Sequence, residues 1–302
     1  EISARPPGAE PERAGRARDA PGQNTPQVAL AFDRDAAGAT FLARRFTTYP
    51  VFCAAAFSLD RVPRGMLTVI LQSISGGLYE DDRLAASIAA ASGAAAHVTS
   101  QAGTVAHAMP HGGEARHALT IRAAAGSFVE YLPDPLILLP TSSVRTRVEV
   151  SAEVGSTVIF GEAFLSHDPE SRGRPFRSLA SETSLRRPGG PPLLLERFAI
   201  SGGEADTAWR ALLPRPAAAQ GTLWVCSPHP AASLALALGT ALDQVPGLCA
   251  GASVLPGNAG AIARLLAADT VALRRGFEVG WRALRRALTG EEPANRRKSG
   301  WL

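Results

Sequence analysis

Short apolar runs, closely spaced and with no helical periodicity between them, most limit what this chain can fold into. Val28–Phe32 and Thr40–Phe46 flank the loop Asp33–Gly38 and read as a hairpin. Met66–Ile74, Ala94–Gln101, Ala118–Ala124 and Ser127–Leu132 follow, punctuated by Gly and Pro. In Val144–Val150, Val144, Thr146, Val148 and Val150 alternate with Arg145, Arg147 and Glu149, the period of a strand with one face buried. Val154–Phe160, Leu179–Leu185, Leu193–Ile200 and Thr222–Cys226 continue the series. Strand after strand without intervening helices excludes βαβ units and makes the fold class mainly β.

The last third of the chain changes period. Ala231–Leu242 reads as an apolar helix, and a second helix starts at the N-cap Asp269 and runs to about Leu288. Leu273, Phe277, Trp281, Leu284 and Leu288 form its apolar stripe, and Gly290 and Pro293 end it. Arg274, Arg275, Arg282, Arg285 and Arg286 fall mostly off that stripe. These assignments divide the chain into 1–24, 25–290 and 291–302. The first, proline-rich segment is expected to be disordered. The second is a single domain, with a β body over 25–228 and a helical part over 229–290. The third is a basic tail.

Charge narrows the function classes. Lys298 is the only lysine, and it follows Arg297 rather than glycine, so no phosphate-binding P-loop is present. From Arg274 to the end, cations exceed anions by five, against a net charge of +4 for the whole chain. Basicity concentrated at one end suits a solvated helix face or a docking patch better than a nucleic-acid footprint. Cys53, Cys226 and Cys249 include no C-x-x-C pair, so a disulfide scaffold or cysteine-rich zinc module is not expected. No apolar run reaches the roughly 20 residues a membrane span needs, and the expected location is the cytoplasm.

No common hydrolase, zinc-protease, dinucleotide or deaminase signature occurs. His97, His107, His111 and His117 cluster in sequence; they read as loop histidines or as a weak, transient metal site. Glu80, Asp81 and Asp82 form either a solvated turn or a cation trap. Glu162, behind Gly161 at the end of an apolar run, reads equally as a partly buried carboxylate or an ordinary strand-end acid.

In order, these segments resemble one known family. Ser75-Gly-Gly-Leu-Tyr-Glu-Asp-Asp82 is similar to the Gly-Gly-Leu-x-x-Gly-Asp turn of the urease accessory protein D family (UreD, or UreH in some bacteria). Gly76, Gly77 and Asp82 hold the matching positions. Thr99-Ser-Gln-Ala-Gly-Thr104 resembles its Thr-x-Gln-Ala-Ala-Thr strand, through Gln101 and Thr104. Glu130-Tyr-Leu-Pro-Asp-Pro-Leu-Ile137 is the most specific piece, carried by Tyr131, Pro133, Asp134 and Pro135. Leu194-Leu-Glu-Arg197 and Trp281-x-x-Leu-Arg285…Leu288-x-Gly290 complete a collinear match from about Gln27 to Gly290. The chain departs from the pattern at Asp81, where the family has glycine, and at Val105 and His107, where it often has Lys and Tyr. Its Gly-Arg pair is also missing near Ser166-His-Asp-Pro-Glu170.

The resemblance implies a long β-solenoid-like stack of short strands closed by two C-terminal helices. It also implies a scaffold rather than an enzyme, joining accessory protein F and the GTPase accessory protein G on the urease apoprotein during nickel insertion. Neither nucleic acid nor membrane is an implied partner. No cofactor is permanently bound; Ni²⁺ is cargo in transit. Asp82, Asp134, Glu162 and Glu170, with His107 and His111, are the candidate transient ligands if they face one cavity. Arg274, Phe277, Arg282, Arg285 and Arg286 are the candidate contact for accessory protein F. The alternative is a β-rich scaffold serving another metalloenzyme.

Overall fold

The computed structural model describes residues 26–205 and 219–295. The N-terminal segment 1–24 and the tail cations Arg296, Arg297 and Lys298 lie outside them.

A hairpin, β1 (Val28–Arg34) and β2 (Thr40–Thr47), and the short β3 (Val51–Cys53) open the fold. The chain then winds between two sheets, one coil after another. β4 (Leu67–Ser73) leads to β5 (Arg83–Ala90), and β6 (Ala95–Ser100) with β7 (Thr104–Ala106) to β8 (Ala115–Ala123). β9 (Phe128–Tyr131) with β10 (Leu136–Leu138) leads to β11 (Ser143–Ala152), and β12 (Thr157–Ser166) to β13 (Ser178–Arg186). Successive coils pair in parallel, β5 with β8, β8 with β11 and β11 with β13 on one side, β4 with β6, β6 with β9 and β9 with β12 on the other. The result is the mainly β, solenoid-like stack of about four turns that the resemblance implied.

Glycine makes the repeated corner possible. Gly93, Gly126 and Gly155 have φ of +70 to +84° and stand one above another between β5 and β6, β8 and β9, and β11 and β12. Each follows a carbonyl that accepts a turn hydrogen bond three residues on: Ala94 N–H to Ala91 O, Ser127 N–H to Ala124 O, Ser156 N–H to Glu153 O, at 3.0–3.1 Å. A positive φ at the third turn position is where glycine costs least.

The stack ends in β14 (Pro192–Ile200), antiparallel to β13, and in β15 (Ala219–Cys226), antiparallel to β12. The C-terminal part holds α1 (Ala231–Leu242) and α2 (Thr270–Thr289), both near their expected bounds. Asp269 caps α2 by accepting from Ala272 N–H at 2.8 Å, and Gly290, at φ +77°, ends it. Two strands lie between the helices, where the sequence reading has only helical structure. β16 (Leu248–Val254) and β17 (Gly260–Ala267) extend the second sheet. Apart from the exposed Arg264, β17 is apolar and buried on both faces, and such a run has no strand alternation.

The finished sheets run β14-β13-β11-β8-β5-β1-β2 and β16-β17-β15-β12-β9-β6-β4-β3. One core lies between them, around Leu30, Ile88, Ile121, Val150, Phe160 and Trp224. A second lies between the ten-stranded sheet and the helices, around Leu223, Leu238, Leu265, Leu273 and Leu284. Each such side chain removed from water contributes about 1.5–3 kcal/mol.

Candidate functional site

Between the sheets the packing leaves a cavity of about 420 Å³. It crosses the stack coil by coil. Gln27, Val51 and Ser73 border it at the β1 and β3 side, and His117, Tyr131 and Asp134 in the middle. Glu162, Ser181 and Thr222 border it at the β15 side. Inward-facing positions of many strands thus share one wall, which sequence distance hides.

Glu162 comes from β12 with its carboxylate turned toward β13. Thr183 Oγ1 donates to its Oε1 at 3.2 Å, and Ser181 Oγ to its Oε2 at 3.5 Å. Burial, then the negative charge of Glu196, push this carboxyl up to about 7, and the two hydroxyls only partly offset them. Tyr131 beside it is pushed up to about 12, by burial first and by Glu162 second. Its ring stacks on Phe160 at 5.7 Å, and Phe160 on Trp224 at 5.1 Å. Glu196 Oε1 itself accepts from Arg264 Nε–H at 3.1 Å, while its Oε2 is buried without a hydrogen bond among the described residues. His117, also on the cavity wall, is held below the ordinary imidazole range by burial.

Asp134 is fixed by its backbone, whose N–H donates to Ser100 Oγ at 2.8 Å. Pro135 O accepts from Thr104 N–H at 3.2 Å, which ties the Pro133–Pro135 segment to β7. At the rim, Gly77 has φ +149°, and a Cβ there would collide with Val105 O. This close approach lets Leu78 N–H reach Val105 O at 2.7 Å. Asp82 Oδ2 accepts from Tyr79 N–H at 2.7 Å and so closes the turn that presents Gly76 and Gly77.

The family described as UreD urease accessory protein matches residues 24–299. A urease accessory protein UreD 1 of Methylorubrum extorquens is 38% identical over 90% of this chain and 91% of its own length. One from Pseudomonas syringae pv. syringae is 32% identical over 92% of this chain and 97% of its own. UreD 2 of a Bradyrhizobium strain is 32% identical over 84% and 87%. The chain belongs to the UreD family.

Of the UreD positions singled out in the sequence, Gly76, Gly77, Gln101, Thr104, Tyr131, Pro133 and Asp134 all border the cavity. Asp81, where the family pattern has glycine, sits at φ +64°, which explains the glycine and is tolerated by Asp.

The proposed ligand set does not assemble as a unit. Asp134 and Glu162 face the cavity, but Asp82 caps its turn. Glu170 is exposed and pairs at 3.1 Å with Arg172 and Arg174 in a loop organised by Asp168. His107 stacks on Tyr79 at 4.5 Å with Nε2 3.2 Å from Gly76 O, and His111 pairs with Glu80 at 2.9 Å. Among the described residues no three His, Cys, Asp or Glu side chains group as a metal site.

The docking patch on α2 needs one correction. Arg274 is exposed, while Arg282 and Arg286 pair with Glu292. Phe277 packs over Gly161 and Gly221 of the sheet. Arg285, however, is fully buried and cannot contact a partner. It lies one turn after Trp281, within the buried side of the helix, and its charge is met by Glu130 at 3.0 Å and Asp60 at 2.7 Å. Trp281 Nε1–H donates to Glu130 at 2.9 Å, and His97 Nδ1 lies 2.7 Å from the same carboxylate. No helical-wheel pattern marks this cluster, because its acids come from distant segments.

Proposed function

We propose that this chain is a urease accessory subunit that works by scaffolding and conduction rather than catalysis. In this reading it joins accessory proteins F and G on the urease apoprotein and passes Ni²⁺, as cargo, through the inter-sheet cavity. The carrying observation is that UreD motif positions from separate coils, Gly76, Gln101, Thr104, Tyr131 and Asp134, line one cavity with Glu162. Carboxylate, hydroxyl and carbonyl oxygens with an occasional imidazole hold Ni²⁺ loosely, and transit requires ligands an ion can leave. A Glu162 carboxyl poised near 7 suits this role, since one proton changes its hold on a cation. The absence of a P-loop is consistent with nucleotide hydrolysis belonging to a partner. A cytoplasmic setting is part of the proposal; in the structure, no helix of the described residues is long and apolar enough to cross a membrane.

The test is urease activation in cells lacking this gene, with the nickel content of the apoprotein measured. Inactive, nickel-poor urease that wild-type chain restores and Asp134→Ala/Glu162→Ala does not is the expected result. Full nickel loading without the chain would overturn the reading.

A further inference from the structure

Among the described residues no helix is packed on the outer face of the seven-stranded sheet; α1 and α2 rest on β15, β16 and β17 of the other sheet. Strand registers set its side chains in rows. One row runs Arg44, Ala31, Ala89, Arg122, Ser151, Arg186, from β2 to β13. Small residues sink its middle into a shallow trough lined by Ala31, Ala89, Arg122 and Ser151. A second row starts Arg83, Arg116, Arg145, and Arg147 stands in line with Glu182 and Arg197. Every arginine named is exposed.

The acids on this face are already engaged. Glu114 holds Arg116 and Arg145 at 3.1 Å, Glu149 holds Arg147 at 2.7 Å, and Glu182 holds Arg197 at 2.8 Å. At the trough ends, Asp33 accepts from Arg34 N–H at 2.7 Å and Glu153 from Ala125 N–H at 2.9 Å. Arg44, Arg83, Arg122 and Arg186 make no ion pair among the described residues. Adjacent strands lie about 4.8 Å apart, so Arg44 and Arg122 bracket about 14 Å of small-residue floor.

A solvated sheet face ordinarily mixes signs and long polar side chains. Here arginine dominates over alanine and serine, leaving guanidinium planes accessible and the backbone approachable. Arginine is the cation enriched in protein interfaces and the one that grips carboxylates bidentately. We propose that this face docks an acidic protein surface. The partner tested, the urease apoprotein with its accessory proteins F and G, rests on the functional reading above. A second copy of this chain does not fit, because arginine rows would meet arginine rows. Nucleic acid fits poorly: the exposed rings beside these rows, Phe41 and Phe46, are confined to β2 at one edge of the sheet, and carboxylates sit among the central guanidiniums.

The full chain carrying Arg44→Glu, Arg83→Glu and Arg122→Glu is compared with wild type for binding to the purified apoprotein–F–G assembly at low and moderate salt. Circular dichroism and melting confirm an unchanged fold. The triple variant is expected to bind about tenfold or more weakly at low salt and to lose most of the salt dependence of association. The Lys triple variant, which keeps the charge, retains most of the binding. Equal affinity and salt slope for the Glu variant and wild type would overturn this inference alone. A wild-type chain that binds a DNA duplex and not the assembly would overturn both it and the urease reading.

Discussion

Arg285 and Glu130 stand 155 residues apart in sequence and 3.0 Å apart in space, both side chains fully withdrawn from water. Their contact fastens α2 to β9, while Asp60 takes the other arm of the guanidinium at 2.7 Å and Val62 O a further bond at 3.0 Å. Desolvating such a pair costs about as much as the attraction returns, so its main effect is to fix where the helix lies.

Breaking the pair on one side leaves a buried charge unmatched. Glu130→Gln and Arg285→Ala are each expected to lower unfolding free energy by about 3–5 kcal/mol in urea titrations. A loss below about 1 kcal/mol would mean that the network is not buried in solution.

Glu162 predicts a specific pH dependence. Its folded pKa of about 7 lies above the ordinary carboxylate value of 4.5, so the folded state holds its proton more tightly than the unfolded one. The stability from this protonation is present below the unfolded pKa and is lost as pH rises through about 7. Glu162→Gln should therefore melt close to wild type at pH 5 and higher than wild type at pH 8, by about 2 kcal/mol in stability. A constant difference across that range would contradict the burial of this carboxylate.

Phe277 lies against Gly161 and Gly221, where any Cβ would meet its ring. Gly221→Ala is expected to destabilise by about 2 kcal/mol through overpacking. Adding Phe277→Leu should recover part of that loss, and strict additivity in the double variant would argue against direct contact.

The turn at Asp81 offers a gain. At φ +64° a glycine avoids the left-handed penalty, so Asp81→Gly should stabilise by about 0.5 kcal/mol despite a more flexible unfolded chain. A lower melting temperature for the variant would show that the Asp81 side chain contributes more than its backbone strain costs.

Alternation made β11 readable, and the cap pair Asp269 and Gly290 bounded α2. β5 is not legible in the sequence, because its alanines and Ser87 carry little β propensity. The coil repeat was also present, as Gly93, Gly126 and Gly155, but surrounding residues differ too much for the period to stand out. Within the site, motif and apolar context mark Asp134 and Glu162. Nothing local marks Glu196, because its burial depends on β13, β14 and β17 coming together.

By itself the sequence determined most of the strands, the ends of both helices and the family, since these rest on propensities and hydrogen bonds among residues a few positions apart. Only the tertiary structure decided which charges are solvated. Arg285 and Arg286 are neighbours in sequence, yet one is sealed beneath the helix and the other is exposed. Asp82 and Asp134 are both motif acids, yet only the second borders the cavity. Burial of a charge is set by partners more than a hundred residues away and by the water they exclude, and no local pattern encodes that sum.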